Sequence, residues 1–179
     1  TKPGLVFAVT GPELDAFREA VREAVIAAPS ASMLTADILD AYTAGREKLV
    51  SLGNATTLSE ASAEADAAKT QASAVVAETD LASFLADEGY AAEVFGPASL
   101  IVTAASADQL RDAAASLEGQ LTATLHGTQS DLAAAADLLE VLATKAGRLI
   151  VNGFPTGVEV CPAMQHGGPW PATSDSRFT

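Results

Sequence analysis

The residues of this sequence best suited to chemistry form one short stretch near its middle, Glu93-Val94-Phe95-Gly96-Pro97. Gly96 tolerates backbone dihedral angles that are closed to other residues, and Pro97 donates no backbone hydrogen bond. The two residues predict a fixed bend that leads into the apolar run after it. Such a bend can aim a carboxylate, which accepts hydrogen bonds, and a flat apolar ring at one ligand. The alternative is a structural loop in which Phe95 fills the core and Glu93 faces water.

Two further residue types invite a catalytic or metal-binding role. Cys161 is the single cysteine, and His166 follows it by five residues. A reactive thiol needs a neighbouring base or a helix N-terminus that stabilises the thiolate, and the sequence around Cys161 indicates neither. His126 and His166 stand 40 residues apart without a carboxylate at ligand spacing, which is a weak pattern for a metal site. We expect no catalytic role for Cys161, no bound metal, and hydrogen-bonded loop positions for both histidines.

The elements that position these residues are predicted by apolar, partly β-branched runs alternating with helical patterns. Strands are expected at residues 5–9, 74–76, 100–103, 121–125 and 148–152. Helices are expected after Pro12, Thr35, Asp80 and Ser106, and from Ser130 or Asp131 until Gly147. Connections of this length imply crossovers, hence an α/β fold of three layers, helix–sheet–helix, with a largely parallel sheet. Residues 56–69 are interpreted as loop and exposed turns.

The character of the sequence changes after Asn152. Residues 153–179 contain glycine and proline punctuation and aromatic side chains but no helical period. Long irregular segments of this kind are usually functional or disordered, and the aromatic residues favour a function. We therefore divide the chain into an α/β core, residues 1–152, and an irregular segment of the same domain, residues 153–179.

The charge of the chain limits its partners. It carries 23 acidic and 10 basic residues, a formal net charge of −13, whereas nucleic acids and anionic membranes bind positive surfaces. No apolar run approaches the roughly 18 residues that a membrane span needs, and the N-terminal residues do not have the pattern of a signal peptide. A single cysteine excludes an internal disulfide bond. We expect a cytoplasmic protein with neither a nucleic-acid nor a membrane partner.

Three separated motifs carry a resemblance to a known family: Thr1-Lys2-Pro3-Gly4-Leu5-Val6, Glu93-Val94-Phe95-Gly96-Pro97 and Arg148-Leu149-Ile150-Val151-Asn152-Gly153. The Gly-Phe-Pro-Thr-Gly of residues 153–157 and residues 166–177 extend it. With these motifs the chain resembles the catalytic domain of the aldehyde dehydrogenase superfamily. It is most similar to the branch that acts on 2-ketoglutarate semialdehyde (2,5-dioxovalerate).

The resemblance implies that an aldehyde is oxidised to a carboxylate with NADP or NAD, through a thiohemiacetal on a cysteine. Glu93 matches the carboxylate that accepts hydrogen bonds from the nicotinamide ribose, and Phe95 matches the ring that packs beside the nicotinamide. Asn152 matches an asparagine that ends a core strand and holds a loop. The aldehyde pocket is expected to be lined by Phe154, Pro155 and Thr156.

The chain also departs from the family pattern. The family nucleophile lies in Gly-Gln-x-Cys, which here would end immediately before Thr1, and the glutamate base, the oxyanion asparagine and the dinucleotide domain lie further upstream. The start without methionine and the abrupt end lead us to expect a piece of a longer protein. It would be inactive alone and would self-associate as a homo-oligomer through uncovered apolar surface. The alternative is a non-enzymatic α/β assembly or interaction module on the same scaffold.

Overall fold

A computed structural model of the chain describes residues 2–155. These residues divide into two compact units, Lys2–Ser106 and the residues from Ala107 onwards. Each unit is described by itself. Within residues 2–155, no helix is long and apolar enough to cross a membrane, and no group of three or more His, Cys, Asp or Glu side chains is placed to hold a metal ion.

The first unit contains six strands and three α-helices. The strands are β1 (Leu5–Val9), β2 (Ala31–Ser32), β3 (Thr56–Glu60), β4 (Gln71–Ala72), β5 (Val75–Asp80) and β6 (Ala98–Ala104). The helices are α1 (Pro12–Ile26), α2 (Ala36–Ser51) and α3 (Leu81–Ala86), with short 3₁₀ turns at Ala67–Lys69 and Glu88–Ala91. The main sheet has the order β1-β6-β5-β3, and β2 pairs separately with β4.

The two inner strands of this sheet are covered on both faces. Leu100, Ile101 and Val102 of β6 are each at most 2% exposed, although successive side chains of a strand point to opposite faces. Because β6 pairs in parallel with both β1 and β5, it is a central strand of a largely parallel sheet. This arrangement confirms the predicted α/β fold class.

The helices that follow begin where side chains cap them. Thr35 Oγ1 accepts a hydrogen bond from the backbone N–H of Ile38 at the start of α2, and an Asp80 carboxylate oxygen accepts one from the N–H of Ser83 at the start of α3. The hydrogen bonds from the Ser83 backbone N–H and hydroxyl lower the pKa of Asp80 below the ordinary aspartate range.

Helix α1 is fixed to the sheet by Arg18, whose guanidinium makes a bidentate contact with the Glu78 carboxylate of β5, at 2.7 and 2.6 Å.

The interpretation of residues 56–69 as loop and turns was wrong at its start. Thr56–Glu60 forms β3, which pairs antiparallel with β5 and is interrupted by a bulge between Thr57 and Ser59. The strand lies at the edge of the sheet and only Ser59 is buried. An edge strand with polar, mostly exposed residues lacks the apolar alternation by which strands are predicted. The predicted strand at residues 74–76 is also longer, and β5 extends to Asp80.

The second unit contains α4 (Ala107–Ser116), β7 (Gln120–Leu125), α5 (Gln129–Ala134), α6 (Ala136–Lys145) and β8 (Ala146–Val151). Strands β7 and β8 are parallel and in register from Gln120↔Ala146 to Leu125↔Val151. The single long helix predicted from Ser130 or Asp131 is instead two helices separated at Ala135.

The start of α5 lies earlier than the sequence suggested because a capping box forms there. The Thr128 hydroxyl accepts a hydrogen bond from the backbone N–H of Asp131, whose carboxylate accepts from the N–H of Thr128. At the other end, α6 stops at Lys145. Gly147, expected to end the helix, lies inside β8.

Candidate functional site

The bend at residues 93–97 is anchored to the core by the side chain of Val94. Val94 packs, partly buried, against a cluster of Tyr42, Ala72, Val75 and Ala98. Helix α2 approaches it closely, since a Cβ added at Gly45 would lie 3.3 Å from Val94 Cγ1. Val94 therefore points inward and anchors the first half of the bend.

Gly96 fixes the second half of the bend. Its φ of 151° lies in a region that L-residues rarely adopt, and a Cβ at this position would lie 2.3 Å from Tyr42 Cδ2. The Tyr42 ring is 2% exposed, and its hydroxyl donates a 2.7 Å hydrogen bond to the carbonyl of Ser73. Only glycine fits between this held ring and the backbone of the bend.

The bend leads directly into the sheet. The carbonyl of Pro97 accepts a hydrogen bond from the N–H of Val75, the first residue of β5, at 2.9 Å, and the N–H of Ala98 donates to the carbonyl of Gly96 at 2.8 Å. The bend therefore lies at the edge where β5 and β6 begin. Its position is determined by the central strands rather than by a free loop.

Glu93 and Phe95 point away from the core on either side of Val94. The Phe95 side chain is 65% exposed, so the alternative in which it fills the core is wrong. Glu93 is exposed, and no hydrogen bond to its carboxylate occurs among residues 2–155. The fold thus presents an acceptor with free lone pairs and an uncovered ring on one rigid bend. Their assignment as cofactor ligands stays a prediction.

One cation lies beside this bend. The ammonium group of Lys2 donates a hydrogen bond to the carbonyl of Ala98 and is close enough to Glu93 for an electrostatic interaction. Although the residue as a whole is exposed, packing of the ammonium group against the chain lowers the pKa of Lys2 below the ordinary lysine range. The Glu93 carboxylate acts in the opposite direction.

A second group of predicted residues lies in the second unit, after the carboxyl ends of β7 and β8. Asn152 adopts a left-handed backbone conformation with φ 49°. Its side-chain oxygen accepts from the N–H of Gly127 and its side-chain nitrogen donates to the carbonyl of Gly127, both at 2.9 Å. The resemblance implied that Asn152 ends a strand and holds a loop. The loop it holds is the one that follows β7.

The aromatic residue after Asn152 also contacts this loop. The rings of Phe154 and His126 have centroids 5.5 Å apart, and the Phe154 side chain is 79% exposed. Pro155 is partly buried. Thr156, Cys161 and His166 lie outside the described residues, so their predicted roles stay predictions.

The two hydrogen bonds between the Asn152 side chain and the Gly127 backbone, the Asn152 clamp, give a stability prediction. Asn152→Ala removes both hydrogen bonds to Gly127 and places alanine at a positive φ, so we expect a loss of about 1–2 kcal/mol in the free energy of unfolding. Asn152→Gly removes the same bonds but tolerates the backbone, and should cost less. Urea denaturation of both variants measures the difference. Equal stability of wild type and Asn152→Ala would contradict the clamp.

The residues that hold the site were not identified from the sequence. Tyr42 falls within the helix predicted after Thr35, and Lys2 was noted only as part of a motif. Tyr42 contacts Gly96, which is 54 residues away in the sequence. Lys2 binds Ala98, which is 96 residues away. The signal in the sequence was Gly96, because a position that requires glycine indicates that another group packs closely against the backbone.

Comparison with known proteins gives a match over the whole sequence. The chain is 48% identical, over all of its 179 residues, to alpha-ketoglutaric semialdehyde dehydrogenase 2 of Azospirillum brasilense. It spans only 34% of that protein's length, about a third. No protein-family model matches the chain.

Solved structures share its fold at low sequence identity. Delta-pyrroline-5-carboxylate dehydrogenase of Mycobacterium tuberculosis, bound with NAD, has a TM-score of 0.73 at 17% identity, over 96% of this chain and 32% of that one. Succinic semialdehyde dehydrogenase of Streptococcus pyogenes, in complex with NADP+, has a TM-score of 0.71 at 15% identity, over 92% of this chain and 35% of that one.

Proposed function

We propose, from the premise that this chain belongs to the aldehyde dehydrogenase superfamily, that it is the cofactor- and substrate-contacting part of an NADP- or NAD-dependent semialdehyde dehydrogenase. The proposed substrate is 2-ketoglutarate semialdehyde, on the model of the relative with 48% identity. The observation that carries the proposal is the exposed Glu93 carboxylate, which accepts no hydrogen bond from residues 2–155, together with the exposed Phe95 ring on the same rigid bend.

The chemistry of the bend fits a nicotinamide nucleotide. A carboxylate has two oxygens that accept hydrogen bonds, which suits the neighbouring hydroxyls of a ribose. Phe95 offers an uncovered apolar face for a flat ring to pack against. When bound, the nicotinamide supplies the hydride acceptor for aldehyde oxidation. Glu93 and Phe95 would bind and orient this group without taking part in proton transfer.

The substrate side is proposed to involve the segment after β8. Phe154 and Pro155 follow the carboxyl end of β8, which pairs in parallel with β7, and ligands of α/β proteins commonly bind at such strand ends. Phe154, largely exposed and in contact with His126, would cover the apolar part of the aldehyde. Thr156, outside the described residues, is proposed to complete this wall.

The nucleophile is proposed to be a cysteine immediately before Thr1 in a longer protein. Its thiolate sulfur would form a bond to the aldehyde carbon, that carbon would lose a hydride to the nicotinamide, and water would then displace the sulfur to release the carboxylate. A protein without that thiol has lost the group on which the reaction depends. We therefore propose that the 179 residues alone are inactive.

The test uses the full-length protein with 2-ketoglutarate semialdehyde and either NADP+ or NAD+, following reduced cofactor by its absorbance. Replacing a cysteine before Thr1 by alanine should abolish turnover, whereas Cys161→Ala, the matched change within this chain, should leave it intact. Loss of turnover in Cys161→Ala alone would overturn the assignment. No aldehyde-dependent reduction with either cofactor would overturn the proposed function.

We further propose that the protein works in the cytoplasm as a homo-oligomer. Exposed apolar side chains such as Leu34 and Leu121 support self-association, because such surface is usually covered in an assembly. Light scattering of the purified protein and fractionation of the cells measure both properties, and a monomeric mass would contradict the first.

A further inference from the structure

The segment that precedes β1 lies alongside the start of β6, directly after the bend. Ser99 Oγ donates a 2.6 Å hydrogen bond to the carbonyl of Pro3, and the N–H of Leu100 donates to the carbonyl of Gly4 at 2.9 Å. Before Pro3, the next contact between this segment and β6 is made by a side chain: Lys2 Nζ donates a hydrogen bond to the carbonyl of Ala98. The end of the bend is therefore attached to the segment at residues 2–4.

Lys2 and Tyr42 hold the bend at adjacent points. Tyr42 is packed under Gly96, and Lys2 binds the carbonyl of Ala98, which is 2% exposed. This hydrogen bond opposes rotation of the peptide group that follows the bend. The two contacts together restrict the backbone that carries Glu93 and Phe95.

Lys2 also acts on Glu93 through its charge. The two groups attract each other, yet no ion-pair contact forms between them within residues 2–155. Arg46, a cation on α2, is paired with Glu60. An ammonium group fixed on a carbonyl attracts the carboxylate without occupying its lone pairs. Within residues 2–155, the Glu93 carboxylate thus has an attracting positive charge near it and accepts no hydrogen bond from another residue.

We propose that Lys2 is a positioning residue for Glu93, which ties the segment before β1 to the end of the bend and holds the carboxylate ready for the ribose hydroxyls of the cofactor. This inference depends on the proposed function of Glu93. In this role Lys2 acts through Glu93 and not on the reacting atoms.

The first test measures equilibrium binding of NADP+ and NAD+ to the full-length protein by calorimetry, without substrate. Lys2→Met should weaken the tighter-binding cofactor about fivefold, the range of one exposed charge interaction, and Lys2→Arg should restore most of the affinity. In a Glu93→Gln background, Lys2→Met should have little further effect, because Lys2 acts through Glu93. Additive losses in the double variant would overturn the inference and leave Lys2 a tether of the strand.

The second test uses the protein without cofactor. The ¹³C signal of the Lys2 side chain, identified by its loss in Lys2→Met, is followed against pH. Glu93→Gln should move the Lys2 pKa further down, because the attraction that raises it is gone, and an unchanged titration would overturn the inference. Thermal unfolding of each variant checks that it folds, and Lys2→Gln replaces Lys2→Met if that variant does not. Unchanged cofactor affinity in Glu93→Gln would instead refute the proposed function.

Discussion

Replacing Glu93 by glutamine is expected to lower kcat/KM for the nicotinamide cofactor about ten- to a hundredfold in the full-length protein. Hydrogen bonds to a charged group contribute about 1.5–3 kcal/mol each, and 1.4 kcal/mol corresponds to a factor of ten. Glutamine keeps the size of the side chain but replaces one acceptor oxygen by an NH₂ group that can only donate. Two ribose hydroxyls can then no longer donate to separate oxygens of residue 93, and the hydrogen bond that remains is to a neutral acceptor. Steady-state kinetics at varied NADP+ and NAD+ measures the loss.

Glu88→Gln is the matched control for this change. Glu88 lies five residues upstream, is exposed like Glu93, and undergoes the same loss of one negative charge in an acidic chain. A general effect of net charge on cofactor binding would appear in both variants, whereas a ligand contact would appear only in Glu93→Gln. Equal kinetics of the two variants would remove Glu93 from the site.

The parts of the fold that could be predicted are those determined by local sequence. Strand β1 was predicted at its observed limits, Leu5–Val9, because this short apolar run is preceded by Gly4 and followed by Thr10-Gly11-Pro12. The starts of α2 and α3 follow from Thr35 and Asp80, whose side chains bind the helix backbone within three residues. The outward direction of Glu93 was one of the two alternatives considered, and the rigid bend was inferred from Gly96 and Pro97.

The parts that could not be predicted depend on contacts distant in sequence. Strand β3 is stabilised by pairing with β5, and its own polar residues carry no strand pattern. The break at Ala135 occurs in a run of alanines that favours continuous helix, so the sequence alone indicates none. At the candidate site, Glu93 and Phe95 were singled out by their residue types, and their role as ligand contacts stays a prediction. Tyr42 and Lys2, which hold them, could be found only in three dimensions.

Replacing Gly96 by alanine is expected to destabilise the protein by about 3 kcal/mol and to weaken cofactor binding as well. A non-glycine residue in a sparsely populated backbone region costs about 1–3 kcal/mol, and forcing an extra methyl group into a packed site costs a similar amount. Here that methyl group would lie 2.3 Å from Tyr42 Cδ2. Urea denaturation measures the stability, and calorimetric titration with NADP+ and NAD+ measures the affinity.

Gly53→Ala is the control for the loss of a glycine as such. No heavy atom lies within 4 Å of a Cβ added at Gly53, and its φ lies outside the range from +20° to +160° that L-residues rarely adopt. The stability of Gly53→Ala should therefore stay within about 0.5 kcal/mol of wild type. Because the Tyr42 ring is buried and its hydroxyl is bound to Ser73, the ring cannot withdraw. The backbone at residue 96 must then move and carry Glu93 and Phe95 with it. Stability and cofactor affinity should therefore fall together in Gly96→Ala, whereas Glu93→Gln should lose affinity alone; a Gly96→Ala protein that keeps full affinity would show that the bend does not position the ligand.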